Sequence, residues 1–579
     1  MRRNLLTSFT FALLATTALG YAPAAAATCA SLAGLALPVP NTTIATAESI
    51  PAGTYTAPNG QVFPNLPAFC RVAGVSKPRP TSNVRFEVWM PSSTWNQKFE
   101  QVGNGGLAGS IIYSGMAIAL GQNYATASTD DGTAGDIPGF LLDPNKVADW
   151  RVNAVHETAE NSQAIVQGFY STAPRHSYFT GCSKGGSEAS AEMQRFPDDF
   201  DGIVGGACAF GGVHNQVDSV WNIVKINGTA ANTTPLLAEG ALMLLHNAVL
   251  AACSQEGAIE TDDYLNDPRD CRFDPKLLQC KKHQDPSTCL TADQVQAAQD
   301  LYDGPHNPRT GELIYPGAPR GEEAPPGNPA IANGNLYGWQ TWSPIPPPGF
   351  WLGGALTGPT VGGLLSRPNF GYADFFTFDF DKDTATLEAK WGSVYNNLNP
   401  DLRPFKRRGG KAIFYQGWGD PLVNPQQQIY YYDSVVAALM NDRFDPAGGS
   451  GLGALEETRE FYRLFMVPGM AHCVGDGPGA NTFNGANNPG NPQDPDHDVV
   501  AALDRWIEKG VAPDKIIASH FTNGVADATR PLCPYPEIAR YQGTGSTTDA
   551  ANFVCVLDRD DLRTDFRNAK ELSRALSGH

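Results

Sequence analysis

Beyond its N-terminal segment, this 579-residue chain has no apolar run long enough to cross a bilayer. It has no zinc-ligand spacing, no phosphate-binding loop and no dinucleotide fingerprint, and its loose glycine runs lack the context those motifs need. It has no internal repeat. Basic residues are scarce: 41 Lys and Arg stand against 59 Asp and Glu, for a net charge of −18. An acidic surface repels phosphate backbones and anionic lipids, which excludes nucleic acid and membrane as partners and says little about a neutral small molecule. Charged residues are only 17% and hydrophobic residues 42%, the balance of a globular chain rather than a disordered one.

What is plentiful is glycine (60) and proline (45), which points to many turns and long loops. The length calls for several domains, or for one large domain with an insertion. Arg2 and Arg3, an apolar core at 5–19 and the run Ala24-Ala25-Ala26-Ala27 read as a signal peptide over 1–27, hence a secreted or periplasmic protein. All 11 cysteines follow it. In an oxidising compartment most of them pair, and the odd count leaves at least one free in a monomer.

The alternation of NVRFEVWM at 83–90 predicts a strand, followed by a glycine-rich turn, QVGNGGLAG, at 101–109. Further strands are predicted at 123–128 and 176–180, and helices at 152–170 and 187–195. Strands alternating with helices argue for an α/β fold with a parallel sheet covered on both faces. After about residue 212 the pattern breaks into a loop-rich stretch. It resumes with strands at 411–415 and 461–467 and an amphipathic helix at 497–509. The expected organisation is a first α/β part at 28–212, an insertion at 213–400 and a second α/β part at 401–579.

Gly181-Cys182-Ser183-Lys184-Gly185 fits G-x-S-x-G, in which a tight strand-to-helix turn exposes a nucleophilic serine and needs small neighbours. A strand-like run precedes it and a helix-like run comes after it. In that architecture an acid and then a histidine come later in the chain. AIFYQGWGD ends a predicted strand at Asp420, and FYRLFMVPGMAHC ends another and carries His472. Taken alone, Asp420 also reads as a turn residue before Pro421, and His472 as a packed loop histidine. Together, a buried Asp420 would hold the His472 imidazole in the tautomer that accepts the Ser183 proton. The cysteines favour the joint reading. Cys182 directly precedes Ser183, and Cys473 directly follows His472. A hydrogen bond between Ser183 and His472 would bring these neighbours within reach of a disulfide, whose Cα atoms stand roughly 4.4–6.8 Å apart. A Cys182–Cys473 bridge is therefore expected.

These residues, with VGNGGLAG, RVNAVHETAENSQAIVQGFY, SYFTGCSKGGSEASAEMQRFPDDFDGIVGG, YQGWGDPLVNP, VPGMAHC and AALDRWIEKGVAP, resemble the tannase and feruloyl esterase family, which includes mono(2-hydroxyethyl) terephthalate hydrolase. The resemblance covers most of the mature chain and is weakest in the insertion. It implies an α/β-hydrolase fold with the insertion as a lid, and a serine esterase acting on aromatic acid esters: feruloyl esters first, galloyl or terephthaloyl esters as alternatives. A secreted, non-catalytic binding protein on the same fold is the rival from another class. The resemblance also implies oxyanion donors at the backbone N–H of Lys184 and of Gly105 or Gly106. By analogy it pairs Cys29 with Cys70, Cys253 with Cys271, Cys280 with Cys289 and Cys533 with Cys555, leaving Cys208 free. No cofactor is expected for the chemistry. The family's calcium site falls on CSQEGAIETDDYLNDPRDC at 253–271, where Glu260, Asp262 and Asp263 remain as candidate oxygen ligands of a degraded site after other acidic positions are lost; the alternative is a solvated acidic loop. In the insertion, Trp339, Trp342, Phe350 and Trp351 are candidate walls for a planar acyl group. Arg309, Arg320 and Arg367 are candidates to meet a substrate carboxylate. His156 and Glu160, one helical turn apart, read as packing rather than half of a metal site.

Overall fold

A computed structural model describes residues 28–557, apart from 137, 258–262, 325–337, 345–350, 441–451, 476 and 486–489. The expected signal segment lies outside the described residues. Nine strands form one sheet: β1 (Thr42–Ile50), β2 (Phe69–Ser76), β3 (Val84–Pro91), β4 (Lys98–Val102), β5 (Ala125–Thr129), β6 (His176–Cys182), β7 (Gly202–Gly206), β8 (Lys411–Gly417) and β9 (Tyr462–Val467). Their spatial order is β1-β2-β3-β5-β4-β6-β7-β8-β9. Pairing is antiparallel from β1 to β5, and parallel from β5 through to β9.

Alternate side chains of each strand enter cores on opposite faces, as the period-2 pleat requires. Phe179, Ile203, Phe414 and Leu464 pack on one face. Their neighbours Tyr178, Val204, Ile413 and Phe465 pack on the other. The helices α2 (Ala154–Tyr170), α3 (Lys184–Arg195) and α8 (Pro425–Met440) cover the first face; α1 (Tyr113–Gly121) and α9 (Val499–Lys509) contribute to the second. Helix α9 shows how local sequence sets its ends. The Asp498 carboxylate caps the N–H groups of Val500 and Ala501, a contact worth about 1 kcal/mol, and Gly510 takes the left-handed conformation that stops the helix.

Residues 207–410 run between β7 and β8, and the described ones among them add no strand to this sheet. Their helices α4 (Gly212–Asn227), α5 (Glu239–Gly257), α6 (Ala292–Asp303) and α7 (Lys382–Tyr395) surround a separate core of Val217, Val220, Leu245, Leu301 and Trp391, which Trp150 and Phe140 also join. Cys253–Cys271 and Cys280–Cys289 bridge this segment, and Cys29–Cys70 and Cys533–Cys555 bridge the two ends of the described chain. Cys208 is free and buried. No helix among the described residues is long and apolar enough to cross a membrane.

The strand register sets where the loops emerge. Cys182 lies opposite Gly206 and Gly417 opposite Val467, so the parallel strands end together and the loops that leave them share one edge of the sheet.

Candidate active site

Ser183 sits between β6 and α3 with φ 64° and ψ −117°. A non-glycine residue held there stores about 1–3 kcal/mol of strain, so its surroundings must enforce it. They do so by close approach. A Cβ on Gly181 would stand 2.7 Å from the Gly185 backbone, and one on Gly186 would stand 2.0 Å from the Gly206 carbonyl. The Ser183 N–H donates to Gly206 O (2.9 Å), and the Gly185 N–H donates to Asn104 O (2.7 Å).

His472, in the loop after β9, places Nε2 2.7 Å from Ser183 Oγ and Nδ1 3.0 Å from each Asp420 carboxylate oxygen. Asp420 follows β8 and is 1% exposed. Its Oδ1 accepts the N–H groups of Leu422 (2.9 Å) and Val423 (3.1 Å), and its Oδ2 accepts Gln416 Nε2 (2.8 Å). The carboxylate is thus oriented and shielded, and the three side chains form one continuous hydrogen-bonded chain from hydroxyl through imidazole to acid. Cys182 and Cys473 are joined, with Cα atoms 6.3 Å apart, tying the serine turn to the histidine loop. Because small displacements of reacting groups cost rate steeply, we expect Cys182→Ala/Cys473→Ala to lower kcat/KM by about 10- to 100-fold. The distal Cys533→Ala/Cys555→Ala pair should change it little. Steady-state assays on both double variants check this.

Lys184 has a second role that its sequence position did not announce. Its side chain turns inward, with Nζ 3.0 Å from Asp131 Oδ2 and bonded to Glu188 Oε1. Burial and the nearby Glu188 push the Asp131 carboxyl up, against the pull of the ammonium. The other oxygen of Glu188 accepts the Asn104 N–H (2.9 Å), which fixes the loop before Gly105 and Gly106. Lys184→Met should cost about 3–5 kcal/mol of stability, because two buried carboxylates lose their cation. A denaturant titration checks this.

The Lys184 N–H opens α3, so it has no acceptor within the helix, and it carries the positive end of the helix dipole. The N–H groups of Gly105 and Gly106 have no acceptor among the described residues. Gly106 lines the cavity that holds Ser183 and His472. Gly105 faces a second cavity on the far side of this loop.

The Ser183 cavity measures about 670 Å³, its open mouth included. Trp150, Arg151 and Leu107 line it from the sheet-bearing part, and Trp342, Leu356 and Tyr395 from the insertion. Trp342 donates Nε1–H to Pro421 O (3.1 Å), linking the insertion to the Asp420 loop. The other aromatic candidates lie elsewhere. Trp339 is buried in the insertion's own core, where it packs on Tyr302 and bonds Glu322 (2.8 Å). Trp351 packs on Tyr372 and Phe375. Phe350 falls outside the described residues. The three candidate arginines are also absent from the cavity wall. Arg309 pairs with Asp381, Arg367 with Asp383, and Arg320 donates to Phe273 O. Arg151, which sequence reasoning passed over, stands there instead. His156 stacks on Phe196 and bonds Asp199 (2.6 Å).

The calcium stretch does not fit a cation in its described part. Asp263 is exposed, and both carboxylate oxygens of Asp267 bind the Arg269 guanidinium. Glu260 and Asp262 lie outside the described residues. Six to eight oxygens are needed, and the described residues do not assemble them.

A largely parallel sheet with a serine on the sharp turn after a central strand, and with an acid and a histidine after the last two strands of the sheet, defines an α/β-hydrolase. The chain belongs to the tannase and feruloyl esterase family, whose model, "Tannase and feruloyl esterase", matches residues 70–556. It is a carboxylic ester hydrolase. It is 41% identical over 559 residues to an uncharacterized esterase of Xanthomonas campestris pv. campestris, covering 92% of each chain. It is 31% identical to mono(2-hydroxyethyl) terephthalate hydrolase of Piscinibacter sakaiensis, covering 88% of each. The crystal structure of feruloyl esterase B from Aspergillus oryzae superposes with a TM-score of 0.76 at 27% identity, over 91% of this chain and 99% of that one.

Proposed function

We propose that this protein is an exported serine esterase that cleaves esters of aromatic acids, feruloyl-type esters first, through an acyl-enzyme. The observation that carries the reading is the Ser183–His472–Asp420 hydrogen-bond path opening into a cavity walled by Trp150 and Trp342. Ser183 Oγ attacks the ester carbonyl while its proton passes to His472 Nε2. The N–H groups of Lys184 and Gly106 receive the oxyanion, each contributing about 3–4 kcal/mol in the transition state. The carbon–oxygen bond to the alcohol then breaks, and the alcohol leaves with the proton from His472. Water, activated by the same imidazole, attacks the acyl-enzyme, returning the proton to Ser183 and releasing the acid. The five disulfides fit an oxidising compartment. No step calls on a metal or cofactor.

The test is to mix the protein with a 4-nitrophenyl ester, quench in acid and map the adduct by mass spectrometry. An acyl group on the Ser183 peptide is expected. Turnover with no adduct there, or an adduct on another residue, overturns the mechanism. Rates on methyl ferulate, methyl gallate and mono(2-hydroxyethyl) terephthalate then rank the acyl groups. No turnover of any ester would leave the binding-protein reading standing.

A further inference from the structure

The cavity beside Ser183 contains a cation that ester cleavage does not use. Arg151 lies on a π-helical turn, Asp149–Asn153, inserted between the short helix Pro144–Ala148 and α2. The wider turn offsets the side chains before it from those after it, and such turns recur at functional sites. This one is anchored. Asp149 accepts hydrogen bonds from Ser82 Oγ (2.6 Å) and from Arg79, which also binds Glu157.

Arg151 is only 5% exposed, yet it lines the cavity together with Ser183 and His472. Its Nη2 donates to Tyr395 O (2.7 Å), and its Cζ lies 4.3 Å from the Tyr395 ring centroid and 5.7 Å from that of Trp150. Its buried Nε–H has no acceptor. No carboxylate among the described residues is within ion-pair distance. Arg71 and Arg79, by contrast, each hold two carboxylates. The close fit extends to Gly212, where a Cβ would stand 3.0 Å from Nη2. A buried cation with unused donors, oriented by two rings and open only to a binding cavity, is built to receive an anion.

We propose that Arg151 is a specificity-determining residue that binds a free carboxylate on the substrate, so that the preferred esters carry one negative charge besides the ester to be cleaved. The proposal rests on the esterase reading of Ser183. The carboxylate can belong to the acyl part or to the alcohol part of the ester, and two pairs of matched substrates separate these sources. In the acyl arm, 4-nitrophenyl 4-carboxybenzoate is compared with 4-nitrophenyl 4-methylbenzoate. In the alcohol arm, 3-carboxy-4-nitrophenyl acetate is compared with 4-nitrophenyl acetate.

Wild type should prefer the charged member in one arm. Arg151→Gln should lower kcat/KM for that member by about 10- to 100-fold, mainly through KM, and Arg151→Lys should restore part of it. Turnover of the neutral member should fall by a clearly smaller factor. Calorimetry with benzene-1,4-dicarboxylate, which has no ester to cleave, reads Arg151 independently of catalysis: wild type and Ser183→Ala should bind alike, and Arg151→Gln more weakly by a similar factor. Equal losses on charged and neutral substrates, no preference in either arm, or dicarboxylate binding that ignores Arg151→Gln would each overturn the proposal. Failure of every ester, charged and neutral, alongside Arg151-dependent binding would overturn the esterase reading instead.

Discussion

Replacing Ser183 by alanine is expected to lower kcat for an aromatic ester by about 10⁵- to 10⁶-fold while leaving the fold intact. The change removes one oxygen whose side-chain hydrogen bond goes to His472 Nε2. The backbone N–H to Gly206 and the crowding at Gly181 and Gly186 remain, so alanine inherits the same left-handed conformation. On the proposed mechanism, the residual rate would reflect the N–H groups of Lys184 and Gly106 acting on a carbonyl attacked by water. Thermal unfolding should move little, and product inhibition should be retained. A loss of less than tenfold in a carefully purified variant would mean that another group is the nucleophile.

Asp420→Asn should lower kcat by about 10⁴-fold, again without unfolding the protein. Both Asp420 oxygens lie 3.0 Å from His472 Nδ1, so two acceptors call for a proton on Nδ1, which leaves Nε2 bare to accept the one from Ser183. An amide offers the opposite polarity. With its NH₂ toward Nδ1, the proton moves to Nε2 and the imidazole cannot act as base. The N–H groups of Leu422 and Val423 can still bond the amide oxygen, and Gln416, which loses its bond to Oδ2, keeps those to Gly417 O and Val423 O, so the loop stays in place. Phosphonate labelling of Ser183 should slow in parallel with turnover. Labelling at the wild-type rate would show that Asp420 does not set the base.

Much of this site was legible because its parts announce themselves locally. G-x-S-x-G demands a tight turn, and the turn is there. Two cysteines flanking the reactive pair supplied a long-range distance, the kind of information a single sequence rarely carries. Other elements were hidden for physical reasons. Strand β7 reads GIVGG and looks like a loop, since glycine is a poor strand former. It is glycine-rich because a Cβ on Gly205 would meet Phe414 at 2.5 Å and one on Gly206 would meet Tyr415 at 2.1 Å, contacts made by a strand more than 200 residues away. Trp339 and Trp342 look equivalent in sequence, but they share one short turn and point to different places, the first into the insertion's core and the second into the cavity. Arg151 was missed for a related reason. It sits in the π-helical turn Asp149–Asn153, where the 3.6-residue period does not hold, and the helix predicted at 152–170 began one residue too late to include it.

The bridge between Cys182 and Cys473 encloses 291 residues of sequence separation, including the whole insertion and Asp420. A protease that nicks any loop within that ring makes two polypeptides but releases neither. The cut ends part, while the serine and the histidine stay tethered by sulfur. Such a nicked molecule would migrate as one species until a reductant is added, so wear in a proteolytic environment need not disperse its reactive centre.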